Sequence, residues 1–543
     1  MSIVSFNFYI FVCAILFLYY ICPKKIKWCV LLVASTTFFL LASGLMLFLI
    51  MFATSLVVYG GAIQLDRLKQ YEEEKSEQGN KNQKLEEKKL SKVRVFHQNP
   101  ERGKRIILAT VIIILAIVLI LFKEMDFFVN NANLLVRISG RPLLQAPKWI
   151  APLGISYYTL ILIGYILDVA WGASPAQRNP LKFLLFTSYF PQMISGPFSR
   201  YKDMEKALFE GATFSYKDFT FGIQRMLWGL FKKLVLAERL AVIVGTVYGS
   251  FAEFGEFTPH RGLYIVLAAI AYVFQIYMDF SGCMDIVLGV SEMFGIKMAE
   301  NFRTPFYSTN LSEVWRRWHI TLGFWLKDYV MYPVLKSHWM NVMRLFVKKR
   351  FGKKVSRKIP TYIGMFITWF LVGFWHGGTW RYIFASGLFF FGMIVGGMLL
   401  EPLFNKMIVV LKINTQCFGW MVFQRTRTFL LFALSISFGR VEQGLRAGFA
   451  FWRSAFDFNP WILFDHSLYS LGLDRQDFWV VIFGLAVVAV ISYLQQRGSV
   501  REKLAEQNLV FRWIILLVLF FVILILGMYG ENYNPADFIY GGF

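Results

Sequence analysis

Two histidines in aromatic, glycine-containing sequence are the residues best suited to acid–base chemistry. His319 ends the run Trp315-Arg-Arg-Trp-His319, and His376 lies in Gly373-Phe-Trp-His-Gly-Gly-Thr-Trp380; the chain has 6 histidines in all. An imidazole in apolar surroundings loses hydration, so its position usually reflects a role beyond packing. Burial favours the neutral imidazole, which is the form that a general base needs. We therefore predict proton-transfer chemistry at these two residues.

His376 has the stronger claim to the role of base. It follows a charge-free run and is flanked by Gly373, Gly377 and Gly378. Glycines weaken a helix and leave backbone N–H groups exposed. Such donors beside a base stabilise an oxyanion. The sequence thus predicts His376 as base with glycine N–H groups next to it.

A helical periodicity surrounds His319 and predicts one helix over 315–329. Arg316 and Arg317 fall on other faces of that helix, where they either pair with lipid headgroups or bind the phosphates of a ligand such as coenzyme A. For His319 itself, a core histidine with satisfied hydrogen bonds is the alternative to a functional one. The periodic positions, spaced as on one helix face, are Trp315, Trp318, His319, Leu322, Leu326 and Tyr329.

Two carboxylates, Asp279 and Asp285, stand 6 residues apart in an otherwise apolar stretch. A carboxylate at membrane depth is costly unless it is paired. We expect pairing with Arg303, Arg316 or Arg317; contact with the substrate is the alternative.

The two histidines are predicted to lie at one depth. Each is about twenty residues from the same basic segment, 344–358, which holds 8 Lys and Arg residues. If both connections were straight helices rising from that segment at ~1.5 Å per residue, His319 and His376 would reach the same level. They would then form one site.

The composition predicts an all-α polytopic membrane protein. The chain is 57% hydrophobic and 18% aromatic, and a span needs roughly 17–25 apolar residues. We expect about ten to twelve transmembrane or re-entrant helices, the first retained rather than cleaved as a signal peptide, with the second run folding back near Ser43-Gly44. The charge-free runs are 4–21, 28–65, 106–122, 149–167, 359–380, 382–400, 478–496 and 513–530; weaker candidates are 183–199, 221–249, 262–295 and 407–438.

The net charge of +23 is distributed as in a membrane protein. Basic loops prefer the cytoplasmic side, and placing 24–27, 66–105, 344–358 and 497–512 there is self-consistent, with both termini outside. This argues against a nucleic-acid partner and for membrane lipids. The 66–105 block is rich in Glu and Lys, which predicts a solvated loop that is partly helical or disordered.

The cysteines predict no metal site. None of the five shows metal-ligand spacing, and all lie in or next to apolar sequence. We interpret them as small buried residues.

A set of motifs spread over 150–380 resembles the membrane-bound O-acyltransferase (MBOAT) family. The resemblance implies a helical bundle around a tunnel, with His376 as the essential catalytic histidine and His319 as a second functional position. It divides the chain into N-terminal helices (1–65), a charged loop (66–105), the MBOAT core (106–400) and C-terminal helices with an external tail (401–543). The motifs are 152–158 (PLGISYY), 195–200 (SGPFSR), 279–285 (DFSGCMD), 301–308 (NFRTPFYS), 313–322 (EVWRRWHITL), 325–329 (WLKDY) and 373–380 (GFWHGGTW).

Within that family the chain resembles the alginate O-acetyltransferase membrane subunits. Ser437-Phe-Gly-Arg440 and the segment 447–456 resemble a feature of that branch which the teichoic acid D-alanyl branch lacks; Cys283 and Gly323 depart from the family pattern. The resemblance implies an acetyl-CoA donor substrate and no permanently bound cofactor. It also implies a bacterial cytoplasmic membrane location, an exported or cell-wall polysaccharide acceptor, and an exported acetyltransferase or small membrane protein as partner. D-alanyl transfer to teichoic acid is the alternative.

The C-terminal run Phe538-Ile-Tyr540-Gly-Gly-Phe543 resembles the ending found in this branch. The resemblance implies that Tyr540 relays the acyl group. An apolar anchor that folds back onto the bundle is the alternative.

A transporter with buried histidines as a proton relay is the competing class of protein. Such a protein is expected to show inverted repeats with broken helices at matching positions. No such repeat is visible in the sequence.

Overall fold

The computed structural model describes residues 3–78, 100–147 and 149–529. These residues form helices, turns and one isolated antiparallel bridge between Phe302 and Trp318, with no β-strand among them. The prediction of an all-α polytopic fold is confirmed. Two compact units are formed, Met1–Phe219 with Ser291–Met298, and Thr220–Val290 with Ala299–Phe543. The predicted boundaries at 65, 105 and 400 remain predictions.

The first unit contains a helical hairpin formed by Lys27–Ser43 and Leu45–Gln78. Gly44 separates its two long helices with φ of 81°, a left-handed conformation that glycine adopts without steric cost. The expected fold-back near Ser43-Gly44 is therefore confirmed. The helices of this unit are α1 Phe6–Ile21, α2 Lys27–Ser43, α3 Leu45–Gln78, α4 Pro100–Leu119, α5 Met125–Ile138, α6 Ile155–Ala170, α7 Pro180–Ser188, α8 Phe190–Ser195 and α9 Tyr201–Phe209.

The second unit carries both histidines. Two of its helices, α10 and α12, also contribute residues to the first unit. The helices are α10 Tyr216–Leu230, α11 Glu238–Phe254, α12 Leu263–Met293, α13 Leu311–Arg317, α14 Ile320–Leu326, α15 Tyr332–Lys336, α16 His338–Trp375, α17 Trp380–Tyr382, α18 Phe389–Val410, α19 Phe418–Arg440, α20 Leu445–Ser454, α21 Arg475–Gln495, α22 Val500–Ala505 and α23 Leu509–Leu526.

Eight helical stretches of the described residues are long and apolar enough to cross a membrane. The shorter apolar helices α1 and α6 add two more candidates, which reaches the lower end of the predicted range. In α23 the apolar side chains of Val518 and Phe521 are exposed, as expected of a face in contact with lipid. The eight are Lys24–Ser43, Leu45–Glu73, Pro100–Ile138, Tyr216–Phe257, Leu263–Met293, Trp380–Val410, Arg475–Gln495 and Leu509–Leu526.

The basic segment 344–358 is helical, not a loop. It lies within α16, whose backbone is interrupted at Gly352 (φ 82°). Lys and Arg are good helix formers, so a high density of positive charge indicates solvation but not irregular backbone. In the 66–105 block, α3 continues to Gln78 with an i,i+4 pair between Lys69 and Glu73 (3.7 Å). Residues 79–99 lie outside the described part of the chain.

The five cysteines form no disulfide, but only Cys283 is buried; Cys13 and Cys417 are exposed. The expectation of uniform burial was wrong for these two because apolar sequence in a membrane protein also covers lipid-facing surface.

Candidate active site

His319 lies at a break between helices, so the single helix predicted over 315–329 is wrong. Helix α13 ends at Arg317, Trp318 is extended (φ −120°, ψ 129°), and His319 is left-handed (φ 49°, ψ 47°) immediately before α14. A non-glycine residue in this region is strained and persists only where the surroundings hold it. The periodicity was right for the side chains but missed the backbone break.

A short antiparallel pairing holds this break. The Arg303 N–H donates to the Arg317 carbonyl at 2.8 Å, and the Ile320 N–H donates to the Asn301 carbonyl at 3.0 Å. The bridge between Phe302 and Trp318 lies between them. The paired segment is 14 or more residues away in sequence, which is why local periodicity does not reveal it.

Asn301 fixes the orientation of the His319 ring. Its fully buried side-chain oxygen accepts hydrogen bonds from the Thr321 N–H (3.1 Å) and hydroxyl (2.9 Å) and lies 3.3 Å from His319 Nδ1. An amide oxygen only accepts, so Nδ1 of His319 carries the proton and Nε2 carries the lone pair. Asn301 belongs to the 301–308 motif, but nothing in the sequence pattern predicts this role for it.

His376 caps the C-terminus of α16 and has the same tautomer. Its Nδ1 is 2.7 Å from the Val372 carbonyl oxygen, one turn earlier. That oxygen also only accepts, so Nδ1–H donates to it and Nε2 is the basic nitrogen. The residue is 4% exposed. A neutral imidazole of this tautomer has the protonation state that a general base requires.

The two histidines lie together. Their ring centroids are 6.4 Å apart with an interplanar angle of 73°, and the Trp375 ring contacts both, at 5.8 Å from His319 and 5.1 Å from His376. The predicted proximity is confirmed, although its premise of two straight helices is wrong. Instead, the pairing with 301–303 positions His319, and the end of α16 positions His376 next to it.

The glycines beside His376 do not provide backbone donors as predicted. The N–H groups of Gly377 and Gly378 both donate to the Phe374 carbonyl, at 3.3 and 2.8 Å. Gly373 serves packing, because a Cβ there would lie 2.6 Å from the Cα of Ile383. This close approach brings the end of α16 against a π-helical segment, Ile383–Leu388, and π turns are frequent at functional sites.

A small cavity of about 40 Å³ adjoins His376. Its lining is mainly aromatic and aliphatic and contains no carboxylate. The residues around it are Tyr272, Ile276, Trp315, Trp318, His376, Tyr382, Ser386, Phe390, Phe432, Ile436 and Gly439. An apolar space beside an imidazole favours an uncharged group over a charged one.

The Trp315-Arg-Arg-Trp318 run divides its side chains between cavity and surface. Trp315 and Trp318 line the cavity, whereas Arg316 is exposed. Arg317 pairs with Glu313 at 2.8 Å and donates to the Thr304 hydroxyl at 3.0 Å.

The intramembrane carboxylates are paired, as expected, but not with the expected arginines. Asp279 pairs with Lys233 at 2.5 Å. Asp285 pairs with Lys232 at 2.5 Å and with Arg225 at 2.9 Å. The two lysines belong to the π-helical segment Phe231–Ala237 and were not among the predicted partners. Adjacent lysines inside the apolar 221–249 stretch were the available signal.

Tyr540 lies outside the described residues, and its predicted role as an acyl relay stays a prediction.

Comparison with known proteins identifies the family. Residues 172–437, which include both histidines, match the family described as MBOAT, membrane-bound O-acyltransferase. A probable alginate O-acetylase of Pseudomonas syringae pv. tomato is 31% identical over 388 residues, covering 71% of this chain and 68% of the relative. The chain belongs to the membrane-bound O-acyltransferase family. It is therefore a multi-pass membrane enzyme that transfers acyl groups to oxygen.

Other relatives in the family differ in acyl group and acceptor. A peptidoglycan O-acetyltransferase of Helicobacter pylori is 29% identical over 319 residues, 54% of this chain and 55% of the relative. A teichoic acid D-alanyltransferase of Bacillus subtilis is 32% identical over 236 residues, 42% of this chain and 55% of the relative. The resemblance of this O-acyltransferase to the alginate branch is confirmed, and its own substrates are a separate question.

Proposed function

We propose that this O-acyltransferase moves an acetyl group from a cytoplasmic thioester, acetyl-CoA, to a hydroxyl acceptor, for O-acetylation of an exported or cell-wall polysaccharide. The observation that supports it most is His376: it lines a small apolar cavity, and its Nδ1–H is held by the Val372 carbonyl at 2.7 Å. The basic Nε2 is thereby defined. His319, 6.4 Å away, is the second functional residue.

In the proposed reaction, His376 Nε2 removes the proton of the acceptor hydroxyl as its oxygen attacks the thioester carbonyl carbon. A C–O bond forms, the tetrahedral intermediate collapses, and the C–S bond breaks. The proton then passes from His376 to the leaving thiolate, so that the base is restored. His319 orients the donor, and burial of both rings excludes water that would hydrolyse the thioester.

The cavity favours acetyl over D-alanyl. A D-alanyl group carries an ammonium, which needs a carboxylate or several acceptors when it is buried. The cavity lining includes no carboxylate to pair with an ammonium. Trp315 and Trp318 are proposed to contact the acyl group. D-alanyl transfer is the second candidate because a D-alanyltransferase is among the relatives.

The roles proposed for the remaining predicted binding residues follow from their exposure and their ion pairs. Arg316 is exposed and is proposed to bind a donor phosphate. Arg317 already pairs with Glu313, so we propose that it supports the His319 segment. For Asp279 and Asp285 we propose that they position α12 through their ion pairs.

We further propose a location in the bacterial cytoplasmic membrane and an exported acetyltransferase or small membrane protein as partner, with Tyr540 as acyl relay.

The His376→Ala variant tests the proposal. Membranes that contain it are incubated with radiolabelled acetyl-CoA, and acetyl transfer is expected to fall by about 10²-fold or more, the usual contribution of a general base. His338→Ala, which changes an exposed histidine, is the matched control and is expected to transfer at the wild-type rate. Near-wild-type transfer by His376→Ala would contradict the proposal. Labelled D-alanyl donor offered in parallel distinguishes the two acyl groups.

A further inference from the structure

Trp315 lines the active-site cavity, and its indole N–H is a buried donor. It packs edge-on against Trp369 at 4.9 Å and Phe390 at 5.3 Å. Its Nε1 is buried and has no hydrogen-bond partner among the described residues. A buried N–H without an acceptor costs free energy, so its retention calls for an explanation such as a ligand atom.

The residue that carries this donor and the proposed base line the same space. Trp315 and His376 both line the cavity of about 40 Å³. An indole N–H donates and never accepts, whereas Nε2 of His376, with Nδ1–H directed to Val372, accepts. One acceptor and one donor beside a small apolar volume are what acyl transfer requires: a base for the hydroxyl and a donor for the carbonyl oxygen.

The backbone N–H groups of residues 376–378 are already engaged. The N–H groups of Gly377 and Gly378 are directed to the Phe374 carbonyl, and the His376 N–H donates to the Val372 carbonyl at 3.2 Å. The carbonyl oxygen of a bound acyl group would therefore need a side-chain donor at this end of α16.

We propose that the Trp315 Nε1–H donates a hydrogen bond to the acyl carbonyl oxygen and stabilises the oxyanion that forms there. This inference rests on the proposed acetyl transfer. When the acceptor oxygen bonds to the carbonyl carbon, the C=O π electrons move onto oxygen, and the bond from Trp315 strengthens. When the C–S bond breaks, those electrons re-form C=O and the sulfur leaves as thiolate, which takes the proton held by His376.

The test is Trp315→Phe, which keeps an aromatic ring but removes the N–H. Its kcat with acetyl-CoA is expected to fall by about 10²-fold, the effect of losing one oxyanion donor, with KM changed by less than about threefold, because the bond matters most in the transition state. Trp369→Phe is the matched control: it removes an indole N–H from the same aromatic cluster but not from the cavity lining, and wild-type kcat is expected.

A second measurement distinguishes loss of the hydrogen bond from a defect in folding. Acetyl-CoA labelled with ¹³C at the carbonyl is bound to His376→Ala and to the double variant His376→Ala/Trp315→Phe, and the infrared carbonyl stretch is compared. Loss of the hydrogen bond is expected to raise the frequency in the double variant.

The results of these two measurements either support or overturn the role of Trp315. An unchanged carbonyl frequency, or wild-type kcat in Trp315→Phe while His376→Ala is inactive, overturns the role of Trp315 and leaves the proposed function standing. Absence of acetyl transfer by the wild-type protein overturns both. A fall in kcat at near-constant KM together with the frequency shift supports the proposal.

Discussion

At the residue scale, neighbouring oxygen atoms impose the same tautomer on both imidazoles. The Val372 carbonyl holds Nδ1–H of His376, and the Asn301 amide oxygen holds Nδ1–H of His319. Asn301 also accepts two hydrogen bonds from Thr321, which stabilises the left-handed backbone of His319. One buried amide thus determines both the backbone and the proton position at the second histidine.

Replacing Asn301 by Ala is expected to lower acetyl transfer per folded molecule by about tenfold or more, because groups that orient a catalytic imidazole contribute at least that much. The midpoint of thermal unfolding in detergent should also fall, since two buried donors of Thr321 lose their acceptor, at about 1–3 kcal/mol. Asn310→Ala is the control: Asn310 caps α13 by accepting from the Glu313 N–H, and its loss costs about 1 kcal/mol. Equal transfer rates for the two variants would show that Asn301 does not orient His319.

At the element scale, the membrane helices could be predicted from the sequence, whereas the backbone break at His319 could not. Long apolar runs identify membrane helices because crossing hydrocarbon requires local composition, and the hairpin at Gly44 follows from length. The break at His319 depends on pairing with 301–303, so the 315–329 periodicity, which reports burial only, mistook it for one helix. The lysine partners of Asp279 and Asp285 were missed for the same reason: charge pairing across α12 is a tertiary contact.

The contact between α16 and the segment Ile383–Leu388 positions His376. Gly373→Ala is expected to displace the end of α16, because the new Cβ would meet the Ile383 Cα at 2.6 Å and the Tyr382 carbonyl oxygen at 2.8 Å, and backbone atoms cannot rotate away. Transfer should fall by about tenfold or more, with a lower unfolding midpoint from overpacking of about 1–3 kcal/mol. Gly397→Ala in α18, which has no atom within 4 Å of its Cβ position, should be neutral or slightly stabilising. Wild-type activity in Gly373→Ala would mean that this contact does not position the base.

At the scale of the whole molecule, this chain with a net charge of +23 places charged residues in two environments, either exposed at the surface or buried in ion pairs. The basic residues of 344–358 lie on a solvated helix, and Arg316 is exposed. Along α12, by contrast, Asp285 lies in a network with Lys232 and Arg225, and Arg225 also pairs with Glu300 at 2.5 Å. Charges that enter the apolar interior here do so as pairs, which limits the cost of taking them out of water.

This pairing separates a structural role for Asp285 from contact with the substrate. Asp285→Leu leaves the Lys232 ammonium buried without that partner, so the unfolding midpoint should fall by the equivalent of about 3–5 kcal/mol. In the double variant Asp285→Leu/Lys232→Met both charges are gone, Arg225 retains Glu300, and most of the lost stability should return, because replacing a buried ion pair by apolar residues is often neutral. Acetyl transfer per folded molecule should then approach the wild-type value. A double variant that is stable but inactive would instead place the Asp285 carboxylate, or the Lys232 ammonium, against the substrate, and the ion pair would have to be counted as part of the binding site.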